Sequence, residues 1–139
     1  MNTHLSNEIK TVCWQGDSDG HLEILDQTKL PTQIKNIVCK DVPAVVESIK
    51  LLRVRGAPAI GIAGAYGMVL AVHQAMLLED SSKKKIAYIQ QHAEDLATSR
   101  PTAVNLRWAI QRIERLILNA GENPEFSNLS KAVLAEAKR

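Results

Sequence analysis

Two short stretches carry the residue types best suited to chemistry. In Arg55-Gly56-Ala57-Pro58-Ala59-Ile60-Gly61, an arginine and a glycine lead through a proline into an apolar helical pattern. The first amides of a helix have no acceptor within it and carry positive partial charge. A turn of this kind is therefore a natural seat for an anion. Gly56 lets a ligand approach the backbone, and Arg55 adds a permanently charged fork matched to phosphate or carboxylate. The alternative is a tight helix–helix turn with a solvent-facing arginine. In Ser99-Arg100-Pro101-Thr102-Ala103-Val104-Asn105, an arginine again precedes a proline at a helix start. Two such turns could converge on one anion. Read alone, the second is better explained as an ordinary connection in which Thr102 caps the helix.

Other candidates are weaker. Gly-x-x-x-x-Gly-Lys is absent, and a helical pattern rather than a strand precedes Gly56, so neither a P-loop nor a dinucleotide fingerprint is present. His73 lies in the most apolar stretch and reads as a hydrogen-bonded structural histidine, while His4, His21 and His92 fall in segments that look exposed. Cys13 and Cys39 lie in strand-like segments, where a thiol behaves as a small hydrophobe. Asp17 and Asp19 have the spacing of a calcium loop but lack its closing glutamate, so they read as a turn. No triad or carboxylate pair emerges. No catalytic residue, metal ligand or cofactor is assigned to the chain.

The elements that must hold these turns can be traced along the chain. Residues 9–39 read as strands: Ile9 to Trp14, His21 to Leu25 with Leu22 and Ile24 opposite Glu23, and Gln33 to Cys39 with Ile34 and Val38 on one face. Asp41 reads as an N-cap, with Pro43 in the first turn. Val42, Val45, Val46, Ile49 and Leu52 form the stripe of a helix ending near Val54, while Glu47, Ser48 and Lys50 face away. A second helix is expected over 58–78. Gly61, Gly64 and Gly67 recur along it every three residues. Each costs about 1 kcal/mol against alanine, which calls for close approach of a backbone or ligand. A third helix over 83–98, capped by Ser81 or Ser82, points Ile86, Ile89, Ala93 and Leu96 inward, with Lys83-Lys84-Lys85 solvated. A fourth begins near Thr102, ends before Gly121, and buries Leu106, Ile110, Ile113 and Ile117, with Arg107, Gln111, Glu114 and Arg115 on its polar side. A fifth, over 126–138, carries Leu129, Ala132 and Val133. The expected fold is α+β: a small antiparallel sheet over 1–40, followed by a helical bundle of about five helices over 41–139, together one domain.

The 139 residues are 45% hydrophobic with a net charge of +2, so a packed core is feasible and a strongly basic nucleic-acid binder is excluded. The two cysteines are not in metal-like spacing, and the first thirty residues show no signal-peptide pattern; a reducing cytoplasm is the default. From Gly56 to Leu78 there is no charged residue, a run long enough to cross a bilayer. Its proline and glycines, and the apolar stripes available to cover it, favour a buried central helix instead.

At the two turns the sequence resembles the N-terminal part of methylthioribose-1-phosphate isomerases, a family of methionine salvage in one superfamily with regulatory subunits of a translation-initiation exchange factor. The resemblance rests on Val54-Arg55-Gly56-Ala57-Pro58-Ala59-Ile60-Gly61, Ala65-Tyr66-Gly67, and Ser99-Arg100-Pro101-Thr102-Ala103-Val104-Asn105-Leu106 with Trp108, and Lys29-Leu30-Pro31 also fits. It implies that Arg55, Gly56, Ala57 and Arg100 bind a phosphorylated sugar that such enzymes convert from aldose to ketose. It also implies that the catalytic cysteine and aspartate belong to a C-terminal Rossmann-like domain absent here. The chain is then expected to be inactive alone, with a sugar phosphate as ligand and either a separate C-terminal catalytic domain or self-association as partnership. The alternatives are a non-catalytic phosphometabolite-binding or regulatory module of the same superfamily, and a helical interaction module whose glycine-lined helix docks a partner.

Overall fold

The computed structural model describes residues 11–51 and 53–139; His4, Ile9 and Leu52 lie outside them. Three strands, β1 (Val12–Gln15), β2 (His21–Leu25) and β3 (Asn36–Cys39), form one antiparallel sheet in the order β1-β2-β3. Register places Trp14 opposite Leu22, and Leu22 and Ile24 opposite Cys39 and Ile37. Side chains alternate across a strand, so these residues share the buried face while Cys13, Glu23 and Val38 line the other. The hairpin alternation is as expected. The face of β3 is not: Val38 is half exposed, and Ile34 lies before the strand and is mostly exposed. The pairing with β2, rather than the spacing of Ile34 and Val38, decides which side turns inward.

Five helices follow: α1 (Val42–Lys50), α2 (Ala57–Met76), α3 (Ser82–Thr98), α4 (Val104–Asn119) and α5 (Phe126–Ala137). The Asp41 carboxylate accepts from the Ala44 amide at 2.9 Å, capping α1. Ser48 is fully buried rather than facing away, because it lies three residues from Val45 and so shares its face. Its carbonyl accepts from the Arg53 and Val54 amides at 2.9 and 3.4 Å, which folds the chain back directly after α1. Ser81 caps α3, and Gly121, at φ +91°, follows the last residues of α4. Lys85 is not solvated with its neighbours. Its ammonium donates to the Met76 carbonyl at 3.2 Å and lies over the Phe126 ring. In α5 the inward residues are Phe126, Leu129, Ser130, Val133, Leu134 and Ala137, and Ala132 is exposed.

The helix α2 is the axle of the molecule. It touches all four other helices and both β1 and β2, and thirteen of its twenty residues are buried. It is the one helix among the described residues long and apolar enough to cross a membrane, and here neighbouring protein covers that apolar surface. The glycine stripe shows how. A Cβ on Gly61 would meet the Asn105 carbonyl oxygen at 3.3 Å, one on Gly64 the Leu106 Cδ1 at 2.4 Å, and one on Gly67 the Leu96 methyls at 2.9 and 3.0 Å. The smooth side of α2 therefore receives α4 and α3. One hydrophobic cluster runs from Trp14, stacked on Tyr66 with centroids 5.3 Å apart, to Ala137.

A buried acid ties the sheet to the helices. Asp26 follows β2 and is 2% exposed. Its carboxylate accepts from the Thr28 amide at 2.9 Å and the Thr28 hydroxyl at 2.5 Å, and it lies 3.7 Å from the Arg53 Nε. Burial works against its charge, but the two Thr28 hydrogen bonds, Arg53 and Lys29 outweigh it and hold the carboxyl below its ordinary value. Cys39 is fully buried beside Ser48, and burial pushes its thiol up.

Two predictions follow from the packing. Gly64→Ala overpacks the α2–α4 contact at about 1–3 kcal/mol, only partly offset by the roughly 1 kcal/mol gain in helix propensity. Leu106→Val opens the same space. In urea denaturation the double variant will be at least about 0.5 kcal/mol more stable than the sum of the single effects predicts; strict additivity would contradict a shared space. For Asp26, the folded carboxyl binds its proton less readily than the unfolded one, so its stabilisation is complete above an unfolded value of about 3.9 and is lost as pH falls through the lower folded value. Asp26→Asn will melt below the parent at pH 7, and the gap will narrow below about pH 4. A gap that persists unchanged into acid would show that the charge contributes nothing.

Candidate anion-binding site

The chain enters α2 from a fixed point. The Arg53 carbonyl accepts from the Gln27 amide at 3.0 Å, and Val54 is 1% exposed, anchored in the core. Arg55, Gly56 and Ala57 then emerge at the surface. Gly56 has φ +92°, and nothing lies within 4 Å of where its Cβ would be. Glycine is needed there for the sign of φ rather than for room. The Gly56 carbonyl accepts from Ile60 at 3.0 Å, closing the first turn, and Pro58, within that turn, has no amide to satisfy.

Helices α1, α3 and α5 are each capped by a side chain, from Asp41, Ser81 and Glu125 respectively. Neither α2 nor α4 has a side-chain cap; Gly56 and Ala103 occupy those positions. Thr102 is therefore not the cap. The Ala103 amide donates to the Arg100 carbonyl at 2.9 Å, so the tight turn from Arg100 to Ala103 shifts the helix start by one residue. Arg100 is half-buried on that turn, next to Ser99, whose hydroxyl donates to the Leu96 carbonyl at 2.6 Å. The two uncapped helices meet near their starts, where Gly61 of α2 lies on the backbone of Asn105 of α4.

A cleft of about 290 Å³ opens along this contact, lined by Pro58, Gly61, Ile62, Asn105, Trp108 and Arg112 among others. Neither Arg55 nor Arg100 lines it. Arg112 pairs with Glu136 of α5 and lies 5.7 Å from the centre of the Trp108 ring, and Arg139 also reaches Glu136, at 3.1 Å. Trp108 is 60% exposed, with Ile62 and Val104 exposed beside it. The sequence motif contained Asn105 and Trp108 but gave no sign of the cleft, although Asn105, Trp108 and Arg112 sit at the three- and four-residue spacings of one helix face. Asp26 and Arg53 were missed as well. The Asp-x-Thr pattern of Asp26-Gln27-Thr28 is the one local signal that marks a carboxylate bonding its own backbone.

The remaining polar candidates stay outside this region. The His73 Nδ1 is buried without a hydrogen-bond partner, so the expected structural hydrogen bond is not made at that atom. His92 packs edge-on against Tyr88, with its Nδ1 3.7 Å from an Asp95 oxygen, too far for a hydrogen bond. Asp17 serves the turn, its carbonyl accepting from the Trp14 indole at 2.9 Å and the Gly20 amide at 2.9 Å. No group of three or more His, Cys, Asp or Glu able to hold a metal occurs among the described residues.

Comparison with known proteins gives these turns a setting. Methylthioribose-1-phosphate isomerase from Pelotomaculum thermopropionicum is 44% identical over 128 residues, covering 92% of this chain and 34% of that protein. The protein of the same name from Desulfitobacterium hafniense is 41% identical, covering 94% and 36%. The chain thus spans about a third of the length of these relatives. Among solved structures, 5-methylthioribose 1-phosphate isomerase from Pyrococcus horikoshii OT3 superposes with a TM-score of 0.81 at 29% identity, over 93% of this chain and 35% of that one. The delta subunit of translation initiation factor eIF-2B from A. fulgidus does so with a TM-score of 0.80 at 35% identity, over 94% and 36%. The model of the Initiation factor 2 subunit family matches residues 53–139. That span begins at the anchored Arg53 and takes in both arginine-bearing turns, and the chain accordingly belongs to the Initiation factor 2 subunit family.

Proposed function

We propose that this chain holds the phosphate end of a sugar 1-phosphate for an aldose–ketose isomerisation in methionine salvage, with methylthioribose 1-phosphate converted to methylthioribulose 1-phosphate. The observation that carries the reading is the pair of adjoining helix starts without side-chain caps, one preceded by Arg55-Gly56 and the other by Arg100. Arg55, Gly56, Ala57 and Arg100 would supply guanidinium and backbone donors to a dianion. Relatives named for this isomerase support the choice of substrate.

The chemistry explains such a division of labour. An aldose 1-phosphate is locked as a ring because its anomeric oxygen is esterified. Isomerisation requires protonating the ring oxygen and moving a hydrogen from C2 to C1, which needs an acid and a base positioned away from water. The non-reacting phosphate contributes binding energy that orients those carbons. These residues would hold the phosphate, and the acid and base would come from the other two thirds of the isomerase relatives. That portion would settle on the exposed Ile62, Val104 and Trp108, and the 139 residues alone would turn over no substrate. The likeness to the eIF-2B delta subunit supports a second reading, a regulatory module that binds a phosphorylated metabolite without converting it.

Calorimetric titration with inorganic phosphate tests the shared core of both readings. Arg55→Ala and Arg100→Ala should each weaken binding by roughly one to two orders of magnitude, as expected for losing charge-assisted hydrogen bonds of about 1.5–3 kcal/mol. Unchanged affinity in both variants would end the assignment. Isomerase turnover regained when the remaining part of an isomerase relative is added in trans would select the enzyme over the regulator; phosphate binding with no turnover would select the regulator. In the same mixture, a Trp14→Phe chain, whose indole signal then comes from Trp108, should shift its emission to the blue as that ring is covered. An unmoved spectrum would contradict the docking face.

A further inference from the structure

We propose that Asp26, acting through Arg53, is a positioning residue for the Arg55–Gly56 turn, an inference that rests on the anion-binding reading above. Arg53 is held through its guanidinium, its amide and its carbonyl. Its guanidinium lies against Asp26 on one side, at 3.7 Å from Nε, and against Glu47 of α1 on the other, at 3.0 Å from Nη1. Its amide donates to the Ser48 carbonyl, and its carbonyl accepts from the Gln27 amide. Asp26 is in turn fixed by Thr28, and its own amide donates to the Lys35 carbonyl at 2.7 Å. One residue thus locks the end of β2, the end of α1 and the approach to α2 into one node. From there two residues lead to Arg55, and the third is Gly56 at φ +92°. A backbone with positive φ at its bend takes its direction from what holds the residues leading into it. Arg53, with the core-buried Val54 beside it, is such a hold.

The sign of one substitution separates positioning from electrostatics. Asp26 is a negative charge near a site proposed to take an anion, alongside Lys29, Arg53 and Glu47. If Asp26 acted only through its field, Asp26→Asn would tighten anion binding by removing repulsion and releasing Arg53. If it positions the turn, Asp26→Asn will weaken binding despite the more favourable charge. The test is calorimetry of the full chain with inorganic phosphate, well below the melting temperature of each variant. Asp26→Asn and Arg53→Ala are each expected to weaken binding about fivefold to tenfold, and the double variant no more than either alone. Arg53→Lys should recover part of the loss, since an ammonium can still pair with Asp26. Ile117→Ala, a destabilising change at the end of α4 remote from both turns, should bind like the parent, which excludes general loosening as the cause. Should Asp26→Asn fail to fold, the Arg53 pair carries the test. Tighter or unchanged phosphate binding by Asp26→Asn, or by Arg53→Ala, with Arg55→Ala still defective, would overturn this inference and leave the anion site standing. A parent chain that binds no phosphate would overturn both.

Discussion

Close approach of neighbouring elements along one side of α2 is the constraint on which the rest of the structure depends. Three glycines spaced by three residues remove the side chains that would hold α3 and α4 away. Each weakens the helix in isolation, so the helix is favoured only once neighbours cover it. The core is then assembled from small and aliphatic residues, with Trp14 on Tyr66 and Phe126 as its few aromatic members. That suits a sequence in which aromatics are only 4% of residues: flat helix surfaces at short range do the packing that larger rings do elsewhere.

Local periodicity made much of this legible. The stripe Leu106, Ile110, Ile113, Ile117 has helical spacing, and all four residues are buried. The glycine spacing signalled close approach before any partner was known. What stayed hidden was decided at long range. Ser48 looked like part of a polar face, yet its carbonyl is the acceptor that turns the chain after α1. Ile34 and Val38 looked like the apolar face of β3, yet the register with β2 turned Ile37 and Cys39 inward. Thr102 is a good capping residue by type, yet a preceding tight turn moved the helix start past it.

The candidate site divides in the same way. Its arginines and glycine could be picked out from residue types and from likeness to a family, because an unpaired helix start with a preceding arginine is a local arrangement. The node behind it joins Asp26 just past β2, Glu47 of α1 and Arg53 in the link between α1 and α2. No spacing rule within one helix or strand connects them. The cleft beside Trp108 is similar: its walls come from α2, α4 and α5. The fold is shared, at nearly equal TM-scores, by a solved isomerase and a solved initiation-factor subunit. The scaffold alone therefore does not choose between the two.

Gly61 faces the carbonyl group and Cβ of Asn105, atoms that every residue but glycine carries. The gap between the openings of α2 and α4 is consequently a property of peptide geometry, which mutation at surrounding positions leaves largely untouched. A cradle dimensioned in this manner can drift far in composition while keeping its span, as expected where an identity of 29% accompanies a TM-score of 0.81. Ligand preference would then diverge through the side chains around the rim, at little expense to the frame that carries them.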